Sequence, residues 1–175
     1  MLTTERLRLC PPAAGDRETL FAIVSNAQTR RFLGPSESAA DFFGRFQRGA
    51  GSWLLHGYGM FMVRLRETDA LIGNCGVFHS YRGLGEDFDD EPEAGWIIGA
   101  DHAGQGLASE AMAAVFDWFD KNYGPRRVVC MISEGNAPSV AVAEKFGFMA
   151  LREASLPAGD LVRLFERPAS HLPIE

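Results

Sequence analysis

The stretch "HAGQGLASEA", residues 102–111, sets Gly104 and Gly106 one residue apart, ahead of small residues and an apolar, helix-like run. Upstream, "EAGWIIGA" (93–100) reads as a strand. Downstream, Ala108, Ala111, Met112, Val115 and Phe119 fall on one helical face, with Ser109, Glu110, Asp117 and Asp120 turned outward. The terminators are Gly124 and Pro125. Strand, glycine turn and helix in that order aim the first helical N–H groups outward, with the positive end of the macrodipole behind them. That is a seat for phosphate. Gly104 and Gly106 let an anion approach the main chain, Ala108 keeps the approach open, and Ser109 adds a hydroxyl. A tight turn alone would use the same glycines.

Two common phosphate patterns do not fit. A dinucleotide fingerprint needs a third glycine where Ser109 stands, and the four residues "ADHA" separate Gly99 from Gly104. A P-loop needs Gly-Lys-Ser/Thr, which does not follow.

Working outward, "RLRLCP" (6–11) alternates as a strand, and "AGDRETLFAIVS" (14–25) is helical, with Asp16 as its cap. "AADFFGRFQRGA" (39–50) is a second helix through Phe42, Phe43 and Phe46. "GMFMVRLRE" (59–67) and "ALIGNCGVFHS" (70–80) form a hairpin. "RRVVCMIS" (126–133) is a β-branched strand, and "NAPSVAVAEKFGF" (136–148) a short helix with Pro138 in its first turn. "FMALREASL" and "LVRLFER" follow as two strands around the turn "PAGD".

A chain of 175 residues with 46% hydrophobic and 23% charged residues suits one globular α/β domain, spanning 1–168, before a polar tail, 169–175. The N-terminus "MLTTERLRLC" has no signal-peptide core and no run is apolar enough for a membrane span, so a cytoplasmic, membrane-free protein is expected. Cys10, Cys75 and Cys130 read as buried thiols. His56, His79, His102 and His171 have no ligand spacing, so no metal is expected. The net charge of −6 argues against a nucleic-acid surface. All of that excess lies in "EDFDDEPE" (86–93), which holds six carboxylates; without it 17 acidic residues face 17 basic ones. Such a run either draws a cationic partner or is a solvated loop.

The glycine stretch and "NAPSVAVAEKFGF" together closely resemble the GNAT superfamily of acyl-CoA-dependent N-acyltransferases, over about Thr3 to Glu166. In that family a loop Gln/Arg-x-x-Gly-x-Gly/Ala wraps the pyrophosphate of coenzyme A. Here "AGQGLA" occupies it, with Ala103 where Gln or Arg is usual. The opening "TERLRL", together with Asn136, Ser139, Glu144, Lys145, Gly147 and Phe148, is similar to the RimJ/RimL-like branch. The resemblance implies a twisted, mostly antiparallel sheet of about seven strands with about four helices. Two central parallel strands splay to admit the pantetheine arm.

It also implies a set of site residues. Trp96, Ile97 and Ile98 would pair through their main chain with pantetheine amides, while their side chains remain strand core. Ala103, Gly104, Gln105, Gly106, Leu107, Ala108 and Ser109 would hold the pyrophosphate. Glu93, in "EAGW", is the candidate general base that deprotonates an amine before it attacks the thioester. Glu91 is the fallback, and a merely solvated Glu93 is the plain alternative. Ser139 is the candidate beside the sulfur, where a hydroxyl can protonate the leaving thiolate, unless it is only a helix-start serine. Asn136 contacts pantetheine or caps its helix, and Glu144 and Lys145 form a solvated face. The implied activity is acetyl transfer from acetyl-CoA to a primary amine, on a protein N-terminus or a small molecule, in a ternary complex. A non-catalytic acyl-CoA-binding module is the runner-up. The oligomer is a monomer or a homodimer.

Overall fold

Leu7 and Leu9 are fully buried while Arg8 and Cys10 between and after them are not, and this alternation makes 7–10 a strand with one face in the core. A computed structural model describes residues 1–156 and 159–169. Pro157 and Ala158 of the "PAGD" turn, His171 and the tail from Ser170 lie outside the described residues.

In chain order the elements are β1 (Leu2–Thr3), β2 (Leu7–Cys10), α1 (Asp16–Ser25), a 3₁₀ turn (Thr29–Phe32), α2 (Ala39–His56), β3 (Met60–Leu65) and β4 (Leu71–His79). Then come β5 (Pro92–Ile98), a second 3₁₀ turn (Ala100–His102), α3 (Leu107–Tyr123), β6 (Val128–Ser133), α4 (Ala137–Lys145), β7 (Met149–Ser155) and β8 (Leu161–Arg167). All strands join one sheet of eight in the order β1-β2-β3-β4-β5-β6-β8-β7. Every pair is antiparallel except β5 and β6. The sheet thus has eight strands rather than about seven. The extra one, β1, is a two-residue piece too short to show a pattern.

The sheet separates two packed layers. On one face Leu7, Leu9, Val63, Cys75 and Val77 meet Met112, Val115 and Phe119 of α3. On the other, Met62 and Leu71 meet Leu20 and Val24 of α1 and Phe42 of α2. The registers Met62↔Asn74↔Ile97 and Phe61↔Cys75↔Trp96 assign β5 its faces. Directly opposed residues share a face, so Trp96 looks toward α3, and Glu93, Gly95 and Ile97 toward α1 and α2.

Two local expectations change. Asp16 is not a cap: α1 begins at Asp16 itself, and Gly15 precedes it without a side-chain bond. The Asp16 carboxylate, 6% exposed, instead accepts from Ala13 N at 2.8 Å and pairs with Arg64 of β3. Helix α2 also continues past Ala50 to His56. Gly49 and Gly51 weaken the local propensity, but Trp53 packs on Phe61 and Trp118 and carries the helix on. Burial pushes the thiols of Cys75 and Cys130 well up from their ordinary value, so neither is a nucleophile near neutrality.

Candidate active site

Strands β5 and β6 lie side by side yet pair at one place, Glu93 opposite Val129. Past that point β6 keeps its ladder with β8 as far as Ser133, and β5 keeps its ladder with β4 as far as Ile98. Their facing edges therefore carry unpaired backbone N–H and C=O groups in mid-sheet. From Ala94 to Ile98 this is about 16 Å of strand. Backbone groups inside a fold need partners, so the gap suits an extended ligand that brings amides of its own. Trp96 and Ile98 pack against the α3-side core and Ile97 against the α1-side core. Their side chains are strand core while one main-chain edge stays free.

The first 3₁₀ turn straps the diverging strands. Thr29 Oγ1 accepts from Ala100 N, just past β5, at 2.9 Å, and Ser133 Oγ, ending β6, donates to Phe32 O at 2.8 Å. Beyond Ala100 the chain passes through Ala103, extended and exposed, and then through two left-handed glycines, Gly104 (φ 74°) and Gly106 (φ 75°). A Cβ at Gly104 would meet nothing within 4 Å, and one at Gly106 only Arg6 Nη2 at 3.8 Å. Backbone conformation, rather than crowding by protein atoms, requires glycine here, and the space beside the loop is open.

Helices α2 and α4 are capped by the side chains of Ser38 and Asn136, whereas α3 starts at Gly106 with no side-chain cap. The N–H groups of Leu107, Ala108 and Ser109 thus begin a 17-residue helix without a capping side chain and with the dipole behind them. Asn136 is a cap, as the plainer reading had it: its Oδ1 accepts from Ser139 N at 3.3 Å. Ser139 is half-buried in the first turn of α4, and the next residue, Val140, packs on the core cluster that Trp96 also touches.

Glu93 is 3% exposed, which removes the reading of a solvated loop carboxylate. Ser80 Oγ donates to its Oε2, and Arg82 donates through Nε to Oε2 at 2.6 Å and through Nη2 to Oε1 at 2.8 Å. A carboxylate offers about four lone-pair sites, two on each oxygen. Oε2 is full and Oε1 keeps one. The residue therefore holds a fixed carboxyl group with a single open acceptor position, on the α1-side face next to Gly95. Glu91, the fallback, meets Arg127 Nη1 at 3.2 Å.

Asn74 lies on that same face, two residues along β4 from the position opposite Gly95. Its Oδ1 is the buried side-chain oxygen or nitrogen that lacks a partner among the described residues.

The other carboxylates of the acidic run are largely paired within the fold. Asp87 meets Arg152 at 2.7 Å, Asp89 accepts from the backbone of Arg82 and Gly85, and Asp90 lies 2.8 Å from His79 Nε2. The hydrogen bond from Arg152 holds the Asp87 carboxyl below its usual range. Arginines thus meet three of the six carboxylates, Arg152 at Asp87, Arg127 at Glu91 and Arg82 at Glu93. Among the described residues no three His, Cys, Asp or Glu side chains gather as a metal site. No helix there is long and apolar enough to cross a membrane.

Sequence reading missed Arg82, Ser80, Arg6, Thr29 and Ser133. Arg6, Ser80 and Ser133 lie in strand-like runs and Thr29 and Arg82 outside them, but no pattern singles any of the five out; only the fold brings them to the site.

Comparison with known proteins agrees with this geometry. The family model "Acetyltransferase (GNAT) domain" matches residues 6–149. A solved GnaT-family structure from Bordetella pertussis is 30% identical, covering 95% of this chain and 98% of its own, with a TM-score of 0.84. An acetyltransferase from Agrobacterium tumefaciens is also 30% identical, covers 93% and 92%, and has a TM-score of 0.78. The uncharacterized N-acetyltransferase YnaD of Bacillus subtilis is 26% identical over 83% of this chain and 81% of its own. RimL, the ribosomal L7/L12 α-N-protein acetyltransferase, shares the fold at 17% identity, covering 94% of this chain and 91% of its own, with a TM-score of 0.73. A strand pair that parts at Glu93, a doubly left-handed glycine loop and a family match over most of the chain agree: the protein belongs to the GNAT acetyltransferase family, among its N-acetyltransferases.

Proposed function

We propose that this chain moves the acetyl group of acetyl-CoA to a primary amine by direct attack in a ternary complex. The observation that carries the reading is the slot between β5 and β6, which leads at its wide end to the uncapped, glycine-lined start of α3. Pantetheine amides would complete the free edge at Trp96, Ile97 and Ile98. The diphosphate would lie on the loop from Ala103 to Ser109, with Asn136 beside the pantetheine chain.

Glu93 Oε1 takes a proton from the substrate ammonium, directly or through water, and the free amine nitrogen then bonds to the thioester carbonyl carbon, its surplus N–H proton leaving to solvent. As the tetrahedral intermediate collapses, the C–S bond breaks and the thiolate takes a proton from Ser139 or solvent. The motif resemblance to the RimJ/RimL-like branch favours a protein N-terminus or a small-molecule amine as acceptor.

The test is thermal unfolding with acetyl-CoA, CoA and NADH, followed by turnover against an amine panel. A ligand bound only by the native state adds RT ln(1 + [L]/Kd), about 2.7 kcal/mol at 100 Kd. We expect stabilisation by the two CoA species alone and turnover with at least one amine. No shift with either CoA species overturns the site; a shift without turnover on any amine leaves an acyl-CoA-binding module.

Two smaller predictions belong here. Ser139→Ala should lower turnover on the order of tenfold, below the usual general-base range, with acetyl-CoA affinity retained. Equal loss of binding and rate would make Ser139 a structural contact. Because the acidic run is mostly paired, acceptor KM at saturating acetyl-CoA should change less than about twofold between low and moderate ionic strength. A larger rise with salt would restore the run as a guide for cationic acceptors.

A further inference from the structure

Between β1 and β2 the chain crosses the first turn of α3, and Thr4 and Arg6 both reach Glu110 there. Thr4 Oγ1 donates to Glu110 Oε1 at 2.5 Å, Arg6 N donates to the same oxygen at 2.9 Å, and Arg6 Nε donates to Oε2 at 2.6 Å. Partial burial pushes the Glu110 carboxyl up, but these hydrogen bonds and the Arg6 charge outweigh it and hold it below its usual range. The other edge of the guanidinium turns to the glycine loop: Nη1 donates to Gln105 O at 3.0 Å. Gln105 is the residue between the two left-handed glycines.

An arginine has five N–H donors. Nε and one on Nη1 are taken, and Nη2, beside the open side of Gly106, has no partner among the described residues. The side chain is 46% exposed, and Nη2 lies 3.8 Å from where a Cβ of Gly106 would stand, next to the uncapped start of α3.

The charge pattern has a consequence for an anion on that loop. Glu110 alone would set a full negative charge in the first turn of the helix meant to receive phosphate, opposing the dipole. Arg6 cancels it. By holding the Gln105 carbonyl, Arg6 also occupies an acceptor that would otherwise be free beside an anion on the loop.

We propose that Arg6 is a positioning and binding residue for the diphosphate of the acyl-CoA: it neutralises Glu110, fixes the Gln105 carbonyl, and offers Nη2 to a phosphate oxygen. The inference rests on the acetyl-CoA reading above and adds to it a recognition element from the opposite end of the chain.

The experiment measures Kd for acetyl-CoA and for acetyl-pantetheine, which lacks the phosphates, in wild type, Arg6→Gln, Arg6→Lys, Glu110→Gln and the Arg6→Gln/Glu110→Gln pair. Arg6→Gln should weaken acetyl-CoA about ten- to a hundredfold, the worth of charge-assisted hydrogen bonds, and leave acetyl-pantetheine within about twofold. Arg6→Lys should recover only part of the loss, because an ammonium cannot hold Glu110, Gln105 O and phosphate in one fork. The double variant should bind acetyl-CoA several-fold tighter than Arg6→Gln alone, since the uncompensated carboxylate is gone.

Wild-type protein binding acetyl-CoA with Arg6→Gln binding it equally overturns the inference. So does an equal loss of both thioesters, which marks Arg6 as a fold contact. If Arg6→Gln does not fold, Arg6→Lys decides: full affinity for acetyl-CoA overturns the geometric role, and selective loss supports it. Wild type binding neither thioester overturns the acyl-CoA site itself, a different result from any of these.

Discussion

Glu93→Gln is expected to lower turnover by about 10²–10⁴-fold while acetyl-CoA affinity changes little, the range associated with a positioned general base. Glutamine keeps the shape and an oxygen for Ser80 or Arg82, but it cannot accept a proton from an ammonium. The loss should shrink at high pH, where more acceptor is already the free base. The geometry adds a control that the sequence could not suggest. Glu93 is 3% exposed and bonded by Arg82, whose side chain is 30% exposed. Neutralising the carboxylate leaves a partly buried guanidinium without its partner, and removing one member of a buried pair costs up to about 3–5 kcal/mol. Part of that cost is spared because Arg82 can reach water.

Thermal unfolding of Glu93→Gln and of Arg82→Met must therefore accompany the kinetics. If the two variants lose similar stability and only Glu93→Gln loses the large factor in turnover, the carboxylate acts on the proton. If Arg82→Met loses as much turnover, the ion pair serves to hold the loop after β4 against β5 and the chemistry belongs elsewhere. Unchanged turnover in Glu93→Gln at every pH passes the role to Glu91 or solvent.

The contrast between Glu93 and the loop shows what a linear sequence carries. The glycine loop was legible because its information is local: two glycines, a helical apolar stripe from Ala108 to Phe119, and terminators at Gly124 and Pro125 all lie within one stretch. The hairpin of β3 and β4 was legible for the same reason. By contrast, the ion pairs made by the acidic run from Glu86 to Glu93 were hidden, because Arg127 and Arg152 come from distant elements that no spacing rule connects to it. Asp16 misled for the same reason: a good cap residue by position, it is drawn to Arg64 on β3 by a contact 48 residues away. The splay of β5 from β6 falls between the two cases. Its strands were visible, but a parallel pair that touches only at Glu93 and Val129 is a property of sheet twist and of the strap from Thr29 to Phe32, not of either strand's composition.

Gly106→Val should abolish most of the stabilisation that acetyl-CoA confers, and the structure separates the reasons. A Cβ at Gly106 would meet no protein atom closer than Arg6 Nη2 at 3.8 Å, so the free protein has room for it. What the free protein lacks is tolerance of the conformation: at φ 75° a left-handed backbone costs an L-residue about 1–2 kcal/mol, and a β-branched one has the least relief. The variant can relax by leaving the left-handed region, which turns the amides of Leu107 and Ala108 away from the ligand, or stay there and place its methyls where phosphate approaches. Either route weakens the diphosphate contact.

Gly106→Asn distinguishes them, because asparagine accepts the left-handed region far better. With the backbone retained, any loss in the asparagine variant reports obstruction, and the further loss from asparagine to valine reports the amides. At a ligand concentration near 100 times the wild-type Kd, a hundredfold loss of affinity would cut the stabilisation from about 2.7 kcal/mol to about 0.4 kcal/mol. A folded Gly106→Val protein with the full wild-type shift would move the phosphate site off this loop. Acetyl-pantetheine again supplies the reference: its binding should survive both substitutions, since its contacts run along β5 rather than over Gly106.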